Sequence, residues 1–571
     1  MFCYSSQTAE ISNAGRRCCV LSEADMRLID STIGDFDRLA KGFRWQVPSR
    51  LNIAQLCCDR HSDRAGQIAI YYENAGGDRK SLNYGQLIRY SNQCANMLRG
   101  LGVGPGDRVA MVLPQRPETA IAHMACYKIG AIAVPLSILF GEDALSYRLG
   151  DSGASIVITD ASRLDLLHAL HDQLPDLREV IGCDCGDTEF WRLLSKSADE
   201  FEIASTSADT PALLIYTSGT TGPPKGALIP HRALYGNLTG FEMSQNLFPQ
   251  PGDLFWTPAD WAWTGGLWDA LLPTLYFGRP ILAYEGGKFD PEQVARVLAR
   301  YRVRNAFIPP TALKMLRQVP DLRAGYGVEL RSVMSAGEAV GEELIHWGRE
   351  ALGLTINEMW GQTEFNYLVG NCSEIMPPKP GSMGKPYPGH RVEVIDADGQ
   401  VLPAGETGEL AAWADGDPVV FLGYWNNEDA TRDKFVDRWF LTGDVGYRDE
   451  DGYIWYVGRR DDVISSAGYR IGPGEIEDCL IKHPAVLQAA AIGKPDDLRG
   501  SIVKAFVVLR TGHEASDQLA QSIQQSVRDR LAAYEYPREI EFIEQLPMTT
   551  TGKVRRVELR ELEERRHATG D

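Results

Sequence analysis

The chain has 571 residues, 44% hydrophobic and 24% charged, a globular balance with room for several domains that excludes wholesale disorder. Its 58 Lys and Arg against 77 Asp and Glu leave a formal charge of −19. A field of that sign repels nucleic acid and anionic membrane, so a bound polyanion such as a nucleotide has to be held by local devices.

Residues 1–20 lack the apolar run of a secretory signal, and residues 1–35 follow no recognisable pattern and stand as an unassigned extension. Short β-branched runs then recur at 108–113, 155–159, 211–216, 280–284 and 305–308, with amphipathic helical patterns at 118–129 and 291–302 between them. Strands alternating with helices predict βαβ units and largely parallel sheets, an α/β fold. From about residue 391, the turn pairs Asp398-Gly399 and Asp451-Gly452 predict a small antiparallel β region. The Gly- and charge-rich stretch 458–474 reads as a boundary, giving a large N-terminal domain at 36–460 and a small α+β C-terminal domain at 461–571. The latter alternates helix, strand, strand and helix and ends in the charged helix 557–566; with 15 basic and 19 acidic residues it is not basic either. The eleven cysteines are scattered without a C-x-x-C, which predicts reduced thiols in a cytoplasmic protein. No run of 18 apolar residues predicts a membrane span.

The stretch Tyr216 to Gly226 packs three glycines and four Ser or Thr hydroxyls into eleven positions, directly after the buried strand signal Leu213-Leu214-Ile215. Glycines let a backbone wrap an anion and point N–H groups at it; Thr217, Ser218, Thr220 and Thr221 add donors, Gly219 and Gly222 the bends, and Lys225 a positive charge. This is a phosphate cradle, but not a Walker A loop, because Pro224 precedes Lys225. Neither G-x-S-x-G nor H-E-x-x-H occurs.

Four further stretches follow in order: Trp360-Gly361-Gln362-Thr363-Glu364, Leu441-Thr442-Gly443-Asp444, Gly458 to Asp462 running on to Gly468-Tyr469-Arg470, and Pro547 to Lys553. With the loop at 216–226, this set resembles the motifs of the acyl-adenylate-forming superfamily over roughly residues 40–560, and its texture is most similar to the acetyl- and medium-chain acyl-CoA synthetase branch. The resemblance implies a two-step reaction. A carboxylate attacks the α-phosphorus of ATP to give acyl-AMP and pyrophosphate, and the thiol of coenzyme A then displaces AMP. Two anions must meet in the first step, so the protein has to supply positive charge and orientation.

The family's roles carry over to matching residues as follows. Lys553 bridges carboxylate and α-phosphate. Glu364 holds Mg²⁺, and Thr363 joins the phosphate loop as a hydrogen-bonding group. Asp444 and Arg459 hold the ribose. Gly337, Glu338 and Ala339 line the adenine, Glu358 meets its amino group, and Met359, Trp360, Gly361 and Gln362 complete the nucleotide wall. Asp461 is the hinge about which a mobile C-terminal domain turns to present first Lys553 and then Gly468, beside which pantetheine passes, and Arg470, which meets the adenylate phosphate.

Trp256, Trp261, Trp263 and Trp268 fall close together, and either form an aromatic core or wall the acyl and pantetheine tunnel, with Trp263 at the family's gate. In acetyl-specific relatives a second tryptophan fills the position of Gly361. Thr264, Gly265, Ala336 and Gly361 match the acyl-pocket wall, and the small residues among them are expected to leave volume. At roughly 0.8 kcal/mol per buried CH₂, a medium-chain or branched aliphatic acid is expected, with acetate a poor substrate and Gly361→Trp favouring the shortest acids. An aromatic acid, or transfer to a carrier-protein thiol acting in trans, is the alternative. Partners are thus a carboxylic acid, ATP and CoA, with no nucleic acid; whether the chain is a monomer or homo-oligomer stays open.

Overall fold

A computed structural model of the protein describes residues 26–183, 189–217, 223–460, 462–466, 469–496, 500–531, 536–549 and 552–569. Among these, the strands form five sheets. The largest has nine strands. Its interior (Asn357–Trp360, Ser332–Ser335, Asn305–Phe307, Phe255–Trp256, Ile281–Glu285, Ile68–Asn74) is parallel, and antiparallel strands close both edges. A seven-stranded sheet runs parallel from Pro211–Thr217 through Ile132–Leu136, Arg108–Val112 and Ile156–Asp160 to Glu179–Cys183. Lys225–Pro230 and Gly423–Tyr424 add antiparallel strands on its other side.

Of the two helices expected to be amphipathic, one is. Pro117–Ile129 begins with Pro at its first turn and ends at Gly130 in the left-handed region, but it presents no solvent face: it is buried all round, its few polar residues included. Pro291–Tyr301 is capped by Asp290, whose carboxylate accepts from the amides of Glu292 and Gln293, and it buries only the stripe Val294, Ala295, Val297 and Leu298.

The β region expected beyond residue 391 is a five-stranded antiparallel sheet in which Trp439–Arg448 pairs with Thr407–Trp413, Phe435–Val436 and Ile454–Arg459. The C-terminal part joins the helix Pro473–Ile481, the long hairpin Val486–Asp496 with Gly500–Leu509, and the helices Asp517–Arg528 and Arg556–Thr569. It also holds the strand Glu539–Phe542, parallel to Gly500–Leu509, which the sequence pattern did not reveal. Its core is separate from that of the large part. The seven cysteines described are buried, Cys57, Cys58, Cys94, Cys126 and Cys372 as free thiols, and none of the described helices is long and apolar enough to cross a membrane. The α/β architecture is as expected: parallel sheets, a small β region and a small α+β part.

Candidate active site

Ligands of open α/β sheets sit beyond the carboxyl ends of the strands, and here strand ends of two sheets meet the middle of a strand of a third. Strand Ser332–Ser335 runs out into Ala336 to Ala339, and strand Asn357–Trp360 into Gly361 to Glu364. Strand Pro211–Thr217 runs out into the phosphate loop, and Asp444 lies on the central antiparallel strand. Side chains cross between these sheets.

Asp444 is 4% exposed. One carboxylate oxygen accepts from the Trp360 indole N–H at 3.0 Å and the Gln362 amide at 3.1 Å; the other accepts from Arg459 at 2.9 Å. Arg459 also reaches the Thr442 carbonyl at 3.2 Å, and the strand register sets it opposite Asp444. Trp360 and Gln362, expected only in the nucleotide wall, thus also fix the Asp444 carboxylate.

Glu364 is buried and accepts a hydrogen bond of 2.5 Å from the Tyr424 hydroxyl, on the edge strand of the seven-stranded sheet. No described cation forms an ion pair with it. The Lys225 ammonium lies 5.6 Å from the centre of the Tyr424 ring. Thr363 and Thr264 share a hydroxyl–hydroxyl bond of 3.0 Å, which joins the residue after Gln362 to the short helix Thr264–Gly266. Thr217 pairs with Lys225 where the loop begins and ends, its hydroxyl 3.4 Å from the Lys225 carbonyl. Ser218, Gly219, Thr220, Thr221 and Gly222 lie outside the described residues, as do Asp461 and Gly468. Arg470 lies on the strand Tyr469–Ile471.

Lys553 is carried by a tight turn. Its amide donates to the Thr549 hydroxyl at 3.0 Å, and its carbonyl accepts from the Thr549 amide at 2.7 Å. Its side chain approaches the face of Gly337: a β-carbon there would stand 3.8 Å from Lys553 Cε. The side chain keeps solvent-exposed area yet stands among protein walls. Those walls push its pKa down, Glu338 and Asp444 pull it back up, and Arg459 lowers it again. Glu338 is held by the Thr311 hydroxyl at 3.2 Å, and Ala339 is exposed. Glu358 is buried with its pKa pushed up to about 8, first by burial and further by the Asp478 carboxylate on the helix Pro473–Ile481, against a backbone hydrogen bond from Val340. Met359 is buried beside it.

The acid side corrects two expectations. A β-carbon on Gly361 would fall 2.6 Å from the Tyr367 amide nitrogen, and one on Gly265 would fall 2.5 Å from the Phe307 ring. Neither glycine leaves a vacancy: Gly361 is small because backbone 366–367 passes against it, and Gly265 because Phe307 does. A tryptophan at 361 would therefore displace backbone instead of filling a pocket. Ala336 is 8% exposed and lines the same region. Of the four clustered tryptophans, Trp256, Trp261 and Trp268 are core, and only Trp263 is partly exposed, edge-on to Phe140 at 5.7 Å.

Tyr424, Phe307 and Tyr367 were missed. Tyr424 follows Glu364 by 60 positions and Phe307 lies on a different strand from Gly265, so only the folded sheets reveal the contacts.

The AMP-binding enzyme family matches residues 58–425, and the AMP-binding enzyme C-terminal domain matches residues 475–553. The chain is 37% identical to the acetyl-coenzyme A synthetase of Bacillus subtilis over 92% of its length and 95% of the relative's. It is 32% identical to the mitochondrial acyl-coenzyme A synthetase ACSM3 of Rattus norvegicus over 94% of each. Among solved structures, that of the anthranilate CoA ligase AuaEII with anthranoyl-AMP aligns with a TM-score of 0.83 at 29% identity, covering 90% of this chain and 98% of that one. The chain belongs to the AMP-binding enzyme family and, within its acyl-CoA synthetase branch, is an acid–thiol ligase.

Proposed function

We propose that the protein joins an apolar carboxylic acid of medium chain length, or with a branched aliphatic tail, to AMP at the expense of ATP and then passes the acyl group to coenzyme A. The observation that supports this most is the approach of the Lys553 side chain to Gly337, in one cleft with Glu338, Asp444 and Arg459. In this reading Asp444 accepts from the ribose hydroxyls while Arg459, Trp360 and Gln362 hold it still. Glu338, Ala339 and the neutral acid of Glu358 border the adenine. Lys225, the hydroxyls of the 217–221 loop and Thr363 hold phosphate oxygens. Lys553 stands where the attacking carboxylate and the α-phosphate meet and offsets their repulsion. After the C-terminal part turns about Asp461, Gly468 and Trp263 border the pantetheine arm and Arg470 meets the adenylate phosphate.

Glu364 suits Mg²⁺: it is a hard carboxylate oxygen donor, buried, and without an ion pair among the described residues. A single carboxylate is enough when phosphate oxygens and water complete the octahedron. The bound ion supplies charge neutralisation at the phosphates.

The apolar tail is supported by Trp263, Phe307 and Ala336 around the acid side, not by space at Gly265 or Gly361. The aromatic lining also suits a flat aromatic acid, which is the second reading. A panel of acids of increasing length, with benzoate included, assayed with ATP, Mg²⁺ and CoA tests both. Pyrophosphate release should require the acid, and AMP release should require CoA. An optimum at two carbons would overturn the medium-chain reading. AMP release indifferent to CoA would overturn the choice of acceptor.

A further inference from the structure

One cation of the cleft has no part in the reading above. Lys434 sits in the turn between the helix Glu428–Arg432 and the strand Phe435–Val436, two residues beyond the helix end. Its carbonyl accepts from the Leu441 amide at 2.7 Å, so the backbone pins it beside the Leu441 to Asp444 stretch. The side chain is half-buried. It passes the Phe440 ring, with the ammonium 5.4 Å from the ring centre, and its described acceptor is the Leu441 carbonyl at a long 3.4 Å. An ammonium has three N–H donors, and no described carboxylate forms an ion pair with this one. The charged groups that face it are Glu364 and Asp444, which favour its charge, and Arg459 and Lys225, which oppose it. Burial outweighs the two carboxylates and lowers its pKa. A half-buried ammonium that two carboxylates and two cations face without a direct ion pair is under-satisfied, and an arriving anion relieves that.

We propose that Lys434 is a phosphate-binding residue of this enzyme, its ammonium contacting the phosphate chain of ATP between the ribose carboxylate Asp444 and the metal-binding carboxylate Glu364. This rests on the reading of the cleft as the ATP site. An incoming polyphosphate supplies the acceptors that the fold does not, and Leu441 and Phe440 aim the ammonium in advance. A contact made alike in the bound state and the transition state changes affinity and leaves turnover alone.

The test compares Lys434→Met, which keeps the apolar stem, Lys434→Arg, which keeps the charge, and Asp444→Asn as a control on the site itself. Binding of Mg-ATP and of adenosine is measured by calorimetry without acid, followed by kcat and KM for ATP. Lys434→Met should weaken ATP by roughly 10- to 100-fold, the range of one charged hydrogen bond. Adenosine affinity and kcat should stay near wild type, and Lys434→Arg should recover most of the loss. Unchanged ATP affinity in Lys434→Met, or equal weakening of ATP and adenosine, overturns the assignment while leaving the site reading intact. Asp444→Asn binding both ligands as wild type does would instead overturn the site reading.

Discussion

The ribose end of the cleft and the turn that carries Lys553 are built on opposite plans. Asp444 is buried on the central strand of a sheet and already bonded to Trp360, Gln362 and Arg459. Lys553 stands on a turn held mainly by its own bonds to Thr549, with exposed area, among walls supplied by the other part of the chain. The first arrangement is pre-organised: its groups lose little further freedom on binding, so its role is affinity. The second has a charge that reaches the cleft only through the placement of the C-terminal part. The contrast teaches that binding and chemistry are held by different structural levels, and that each should fail in its own way.

The largest failure should come at the lysine. Lys553→Ala should lower overall turnover by about 10²–10³-fold, the range for removing one preorganised charge-stabilising donor, with ATP affinity changed little. Asp444→Ala should do the reverse. It strands the donors of Trp360, Gln362 and Arg459 and removes the ribose acceptor, so ATP affinity should fall by about 100-fold or more, and calorimetry reads it directly. Tyr424→Phe removes the hydroxyl that holds Glu364 among the described residues and should raise the Mg²⁺ needed for half-maximal rate about 3- to 10-fold, with the fold unaffected. Gly361→Ala forces a methyl to 2.6 Å from the Tyr367 nitrogen. It should cost about 1–3 kcal/mol in stability, seen as a lower Tm, without moving the acid preference toward acetate; a shift to acetate would restore the pocket argument.

The last effect is a pH slope, in stability and not in activity. Asp269 is buried against Asn366, and burial pushes its pKa up to about 7, against the Asn366 amide, which lowers it. The unfolded chain releases that proton near pH 4 and the folded chain near 7, so this carboxyl's contribution to stability is full below about pH 4 and lost as the pH rises to 7. Asp269→Asn removes the slope, and its Tm relative to wild type should climb between pH 5 and 7.5. Parallel profiles would contradict the shift.

Much of this was legible beforehand because the chemistry lies in short contiguous strings. The loop after Leu213-Leu214-Ile215 needs glycines and hydroxyls at close spacing, and the strands at 108, 156, 211 and 281 announce themselves as apolar runs. Strand Glu539–Phe542 does not: its Glu-Ile-Glu-Phe alternation is too short to stand out. Contacts between strings were also hidden. Nothing near Glu364 points to Tyr424, and nothing near Asp444 points to Trp360 as its donor. The error at Gly361 has the same root: a glycine looks like space in a sequence, whereas here Tyr367 backbone occupies it.

The account turns on Lys553 acting in acyl-AMP synthesis and not afterwards. The direct measurement supplies Lys553→Ala with ATP, Mg²⁺ and the best acid of the panel, and separately with preformed acyl-AMP and CoA, and follows each half by rapid quench. Adenylate formation should fall by about 10²–10³-fold while thioester formation proceeds at close to the wild-type rate. Adenylate formation at the wild-type rate, or equal losses in both halves, would contradict it.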